Sequence, residues 1–162
     1  MRRYWEHFKA LYRHKWFVFL ECCKHGIIWR GLIHDWDKCM PRSFIAYAKT
    51  FFNPDGSKIN VRDATGYYQP MELNEEFRMA WFRHAQNKHH WQHWVLATDE
   101  GEVLVPVDKK SMIEMFCDWH GASRAQGNTG SVSDWWIANN HKMRYHPESK
   151  KFLEEMLKNG GK

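Results

Sequence analysis

Apolar residues recur at three- and four-residue steps through most of the chain, the spacing that gathers them on one face of an α-helix. Trp5, Phe8, Leu11, Tyr12, Trp16, Phe19, Leu20 and Cys23 mark a first helix over residues 3 to about 25, with His14 inside it. His25-Gly26 ends it, because glycine takes the left-handed conformation that closes a helix without strain. A short second helix is expected from about Ile27 to Asp37. Pro41 breaks the chain and opens a third, about Arg42 to Phe52, with Phe44, Ile45, Tyr47 and Ala48 on its inner side. The run Asn53-Pro54-Asp55-Gly56-Ser57 is a turn signal, and residues 53 to 71 carry no periodicity. They read as a long surface loop, placed as a lid over a pocket. The next helix begins near Leu73, with Asn74 as cap, and passes through Phe77, Ala80, Trp81 and His84 to end near Asn87 or Lys88. The segment His89-His90-Trp91-Gln92-His93-Trp94 either continues it or bends away.

Only Val95 to Val107 alternates as a strand does. Leu96-Ala97-Thr98, the turn Asp99-Glu100-Gly101 and Val103-Leu104-Val105 suit a small hairpin, which Pro106 confines to an edge. A helix over about Lys109 to Ala125 follows, with Met112, Ile113, Met115, Phe116 and Trp119 apolar. Gln126 to Gly130 is a loop, and Ser131 or Ser133 can cap the helix through Trp135, Trp136, Ile137 and Asn140. His146-Pro147-Glu148 opens a last amphipathic helix with Phe152, Leu153, Met156 and Leu157, and Gly160-Gly161-Lys162 is a frayed end. No repeat, low-complexity tract or linker divides the chain, so residues 1–162 are expected to form one all-α domain with a small hairpin at about 95–107.

Composition narrows this further. At 162 residues and 43% apolar content the chain can bury one core. Charges interrupt every apolar run well before the ~20 residues a membrane span needs, and the mean hydropathy is -0.73. The N-terminus lacks the apolar core of a signal peptide. These features point to a cytoplasmic protein that does not enter a membrane. Cys22, Cys23, Cys39 and Cys117 form no CxxC pair and read as reduced thiols. The formal charge of +5 favours an anionic partner, either a small molecule or, as a weaker expectation, a nucleic acid.

The eleven histidines are the more informative excess. In Leu32-Ile33-His34-Asp35-Trp36-Asp37-Lys38 a histidine and an aspartate sit side by side at the end of an apolar run. Other residues of metal-ligand type are His14, then His84 with His89 and His90, then Asp118, each set among aromatic neighbours. Imidazole and carboxylate suit zinc, iron, manganese, cobalt or nickel, and ligands drawn from several helices are what a metal held inside a helical bundle requires. On one regular helix His84 and His89 would point about 140° apart at ~100° per residue. Either the chain bends after Asn87, or one of the pair alone joins His84, with His93 a substitute. His120 and His141 read as non-ligands, and His7, His25 and His146 as surface residues. Trp135-Trp136 could stack on a base, though core packing is the stronger expectation for at least one of them.

The order His14, His34-Asp35, Asp118 over helices resembles the HD-domain metal-dependent phosphohydrolase superfamily. With His84, His89, His90 and the HDxxK form of His34 to Lys38, it looks like the branch that cleaves cyclic dinucleotides. It also resembles a small phage and bacterial family with the pattern H…HDxxK…H…NxHH…DW, here completed by His84, Asn87, His89-His90 and Asp118-Trp119. The resemblance implies an HD-like helical bundle, in a host cytoplasm if the chain is phage-encoded. It implies two divalent transition-metal ions, one held by His14, His34, Asp35 and Asp118. Asp35 bridges to a second, held by His84 and by His89 or His90. The implied reaction is in-line attack of activated water on a nucleotide, cyclic nucleotide or other small phosphate ester. Lys38 would neutralise a phosphate oxygen, Arg83, Lys88 and Arg124 would add phosphate contacts, and Asp37 would orient a ligand or carry a proton. Two other classes stay open: an HD-type diiron oxygenase with the same ligand order, and a non-catalytic helical module binding a nucleotide or nucleic acid.

Overall fold

The computed structural model describes residues 1–67, 73–128 and 130–160. Its elements are α1 (Arg2–Lys24), α2 (Ile28–Ile33), α3 (Pro41–Phe51), α4 (Glu75–His84), β1 (Val95–Thr98), β2 (Gly101–Leu104), α5 (Lys109–Gln126), α6 (Val132–Asn139) and α7 (Pro147–Lys158). The fold is mainly helical with one two-stranded antiparallel sheet. No helix among the described residues is long and apolar enough to cross a membrane.

The frame is the packing of α1 on α5. Where they cross, a Cβ on Gly121 would lie 2.6 Å from the backbone nitrogen of Val18. Only glycine permits that approach, and it brings His14, one turn before Val18, beside Asp118. Gly31 does the same for α2: a Cβ there would meet the Cys22 Cβ at 2.6 Å. Around this frame α5, α6 and α7 enclose a core of Met112, Met115, Phe116, Trp136, Tyr145, Leu153 and Leu157 among others. Ala46 and Tyr47 of α3 pack on Phe77 and Ala80 of α4.

Three caps follow from residue type. Asn74 accepts from the Phe77 N–H, Asp108 from Ser111 and Ser131 from Asp134, each satisfying an open amide of the first turn. Gly127, at φ 73°, closes α5.

Several expectations need correction. α1 has the expected period but a different phase. Trp5, Phe8, Tyr12 and Trp16 are all exposed, at 46–65%, while His7, Leu11, Val18, Glu21 and Cys22 are buried. Histidines and an acid therefore occupy part of the inward stripe. Ile45 is likewise turned outward. The second helix stops at Ile33 rather than Asp37, because the backbone leaves the helix at His34 (ψ 136°) and Asp35 then takes a left-handed conformation (φ 55°). Trp36 to Cys39 then form a 3-10 turn. In the hairpin Thr98 pairs with Gly101, so the turn is Asp99-Glu100 alone, and β2 ends at Leu104.

Residues 53–67 of the expected loop fold on themselves. Asp55 accepts from Ser57, and Asp63 accepts from Thr65 and Tyr67. Positions 68–71 of that loop, position 129 of the loop after α5, and Gly161-Lys162 lie outside the described residues. The four cysteines are free thiols.

Candidate metal centre

The α1–α5 crossing, the end of α2 and the end of α4 converge on Asp35. On one side His14 Nε2 lies 3.1 Å from Asp35 Oδ2 and 3.2 Å from Asp118 Oδ1. His34 Nε2 lies 3.3 Å from Asp35 Oδ1 and 3.4 Å from Asp118 Oδ1. On the other side His84 Nε2 and His89 Nε2 face Asp35 Oδ1 at 3.5 and 3.4 Å. His90 Nε2 is 2.7 Å from His84 Nε2.

Both members of the His89-His90 pair therefore reach the cluster. The regular-helix geometry that would separate them from His84 does not arise, because α4 ends at His84 itself. The chain then folds back through turns in which Asn87 N–H donates to the His84 carbonyl and His90 N–H to that of Asn87. The Asn87 side chain fixes this turn by donating to Asp37 Oδ1 at 3.1 Å.

An outer set of carboxylates orients the rings. Asp37 Oδ2 meets His84 Nδ1 at 2.9 Å. Glu114 Oε1 meets His34 Nδ1 at 3.1 Å and His89 Nδ1 at 3.3 Å. A histidine whose Nδ1–H is held by a carboxylate presents its Nε2 lone pair, which is how metal-binding histidines are set. The sequence reading missed Glu114. Its signal was there: an acid one turn before Asp118 inside the apolar run from Met112 to Phe116.

Among the buried polar atoms, His34 Nε2, Asp35 Oδ1 and His89 Nε2 have no hydrogen-bond partner. Each such atom costs on the order of 1–3 kcal/mol if nothing else meets it. Two donors sharing an ion at about 2.1 Å sit roughly 3.0–3.4 Å apart; His14, His34 and His89 face Asp35 within that range, at 3.1, 3.3 and 3.4 Å, and His84 lies just beyond it at 3.5 Å. Among the described residues, four overlapping groups of three could each converge on one ion, among them His84, His89, His90 and His14, His34, Asp35. The donor set, its orphaned atoms and its outer carboxylates fit divalent ions.

The charges agree. Burial pushes the Asp35 carboxyl up, but His34, Lys38 and His84 outweigh it and hold it well below the usual range. Asp118 is lowered likewise, its burial outweighed by the neighbouring imidazoles of His14 and His34. Burial alone would lower His34, yet Asp35, Asp118 and Glu114 raise it to about 10. Binding of an ion at these nitrogens would compete with protons. His90 is held well below its ordinary value, by burial first and then by its histidine neighbours. Lys38 donates to Asp35 Oδ2 at 2.6 Å, with its ammonium 5.5 Å from the centre of the Tyr47 ring.

The cluster floors a cavity of about 1700 Å³, lined there by His14, Lys38, His89, His90 and Asp118. Tyr47, Trp81, Trp91, Trp119 and Trp135 supply aromatic walls, and residues 58–62 and 64–67 add to the lining. Trp135 stacks on Tyr67 at 6.2 Å, whereas Trp136 is buried in the core.

Other expected site residues lie elsewhere. Arg83 and Lys88 are exposed and do not line the cavity. Arg124, one turn past the α1–α5 crossing, pairs with Glu21 and covers the Phe17 ring at 4.6 Å. His93 is engaged with the Gln86 carbonyl through Nδ1, and His120 packs on Phe116. His7, expected at the surface, is buried against Phe44, Tyr47 and Phe52, because the inward stripe of α1 runs through it.

No curated protein and no solved structure matches the chain. A family model described as "Family of unknown function (DUF5662)" matches residues 3–159, and the chain belongs to that family.

Proposed function

We propose that the protein hydrolyses a phosphate ester, of a nucleotide, a cyclic nucleotide or another small phosphate, at a two-ion centre in a bundle of the HD-domain type. The observation that carries the reading is the convergence of buried, unpartnered donors on Asp35 at the floor of a cavity, with a lysine beside them. Divalent ions held there would acidify water and polarise the phosphoryl oxygens.

The residues divide the remaining work. His14, His34 and Asp118 form one half of the centre, and His84, His89 and His90 the other. Asp35 belongs to both, offering Oδ2 toward His14 and Oδ1 toward His34, His84 and His89. Asp37 and Glu114 hold the tautomers. Lys38, which donates to Asp35 Oδ2 at the cavity floor, would neutralise a phosphate oxygen there. The aromatic walls exclude bulk water and strengthen these interactions.

An HD-type diiron oxygenase would use the same ligand order, but it has no need of a lysine against the bridging carboxylate. A module that only binds a nucleotide or nucleic acid would retain binding after Asp35→Asn. The test is protein loaded with manganese, cobalt, nickel or iron and offered nucleotides, cyclic dinucleotides and simple phosphate monoesters. Metal-dependent release of phosphate or nucleotide is expected. Metal-loaded protein inert toward every ester, or oxygen-dependent turnover in the iron form, would overturn the reading.

A further inference from the structure

Glu114 sits where the two halves of the centre meet. One of its oxygens, Oε1, faces His34 Nδ1 at 3.1 Å and His89 Nδ1 at 3.3 Å. The two rings are 4.4 Å apart between centroids, and their Nε2 atoms both face Asp35 Oδ1, at 3.3 and 3.4 Å. The pair is thus bracketed, Glu114 behind and Asp35 in front. His34 belongs to the half with His14 and Asp118; His89 belongs to the half with His84 and His90.

The bracket is itself fixed. Arg30 donates to Glu114 Oε2 at 3.1 Å and to Ser111 Oγ at 2.9 Å. Glu114 is 6% exposed, so water does not replace these contacts. Arg30 also decides what Glu114 is. His34, His89 and Glu114 are close enough to hold an ion, but a guanidinium on the same carboxylate repels one. The position orients ligands rather than adding one.

We infer that Glu114 is a positioning residue that couples the two half-sites, so that divalent ions load as a pair. This rests on the two-ion reading above. An ion in either half fixes one of the two rings, and through the shared Oε1 and the shared Asp35 it fixes the other. The second ion then meets ligands already aligned, with less ordering left to do.

The test is a titration of the full chain, stripped of metal by chelation, with Co²⁺, read by calorimetry and by the visible spectrum of the ion. The unaltered chain takes up two ions per chain, the second at least as tightly as the first. Glu114→Gln keeps the size but places an amide against either Arg30 or the imidazole N–H groups. It weakens both ions by about tenfold to a hundredfold and separates them into independent steps. Arg30→Met retains the carboxylate but frees it, and shifts both affinities the same way by less. His90→Ala removes a ligand from one half and, through the coupling, lowers the apparent affinity of the other half as well. If Glu114→Gln does not melt cooperatively as apo-protein, Arg30→Met carries the test.

Unchanged affinities, or loss confined to one half, would overturn the coupling while leaving the two-ion centre standing. A chain that binds no ion overturns both. Paired loading without hydrolysis of any phosphate ester upholds the coupling and overturns the hydrolase reading alone.

Discussion

Helices α1 and α5 meet at two polar clusters, one on each side of the Val18–Gly121 crossing, and the two are built on opposite terms. Beyond the crossing, Glu21 is bound by Lys24 at 2.9 and 3.0 Å and by Arg124. Opposite charges meet, and none of the atoms in that cluster is among the buried unpartnered ones. Before the crossing, His14 and Asp118 join a set of imidazole nitrogens and carboxylate oxygens that face one another around Asp35. Three of those atoms are buried and unpartnered. What separates a solvated ion-pair cluster from a site for a cation is whether the lone pairs are already used.

The change expected to act most strongly is Asp35→Asn, because Asp35 faces the Nε2 atoms of both halves, where Glu114 meets only the Nδ1 atoms behind them. It should remove both ions, by elemental analysis, and lower turnover on the order of 10³-fold, the scale of losing a central electrostatic group. The folded state should survive, since the amide still fits the left-handed position, where asparagine is well tolerated. Full ion content in that variant would reduce the cluster to a hydrogen-bond network like the one around Glu21.

His7 provides a third kind of buried polar group, neither paired nor gathered with others. Burial, with a smaller push from Lys38, lowers it to about 4 from 6.5. It is neutral in the folded chain at pH 7, and the unfolded chain takes up its proton first as pH falls. Its contribution is therefore complete above pH 6.5 and is lost between 6.5 and about 4. The loss amounts to about 3 kcal/mol at most. Urea denaturation across that range should give wild-type and His7→Phe curves that diverge toward acid, the variant losing less. Parallel curves would mean that His7 is solvated.

Lys38→Met separates substrate neutralisation from metal binding. Ion affinity should not fall, because the lysine repels cations, while turnover on a phosphate ester drops about tenfold. A fall in ion content instead would place Lys38 in the scaffold of the centre.

Much of this arrangement was legible along the chain. Spacing, prolines and caps together located each α-helix among the described residues, and Asn74 opens its helix as its chemistry requires. His14, His34-Asp35, His84 and Asp118 come together as their residue types and order suggested. Local reasoning failed where tertiary contact decides. The phase of α1 depends on α5 fitting Gly121 against Val18, which turns Trp5 and Trp16 outward and His7 inward. α2 ends early at His34, before the left-handed Asp35, a conformation its neighbours impose and no spacing reveals. Glu114 looked like one more helical acid until two imidazoles from distant segments faced it. Arg124 was assigned to phosphate on charge alone, yet it lies past the crossing, with Glu21.

Glu21→Gln should have the smallest effect and bears most directly on the contrast between the clusters. Burial raises the Glu21 carboxyl, but hydrogen bonds from Lys24 and Arg124 outweigh it, and the net shift is downward. The stabilisation is present above the ordinary carboxylate value and is lost as pH falls through the lowered one. Its partners are 61% and 44% exposed, so both can return to water when the charge is removed. The expected cost is about 1 kcal/mol, visible in denaturation at pH 7 and absent at a pH acid enough to protonate Glu21 in both states. Ion content and turnover should stay at wild-type values, because the crossing separates this cluster from His14 and Asp118. If Glu21→Gln instead depletes the ions, the α1–α5 interface transmits strain from one cluster to the other, and the two could no longer be read as independent.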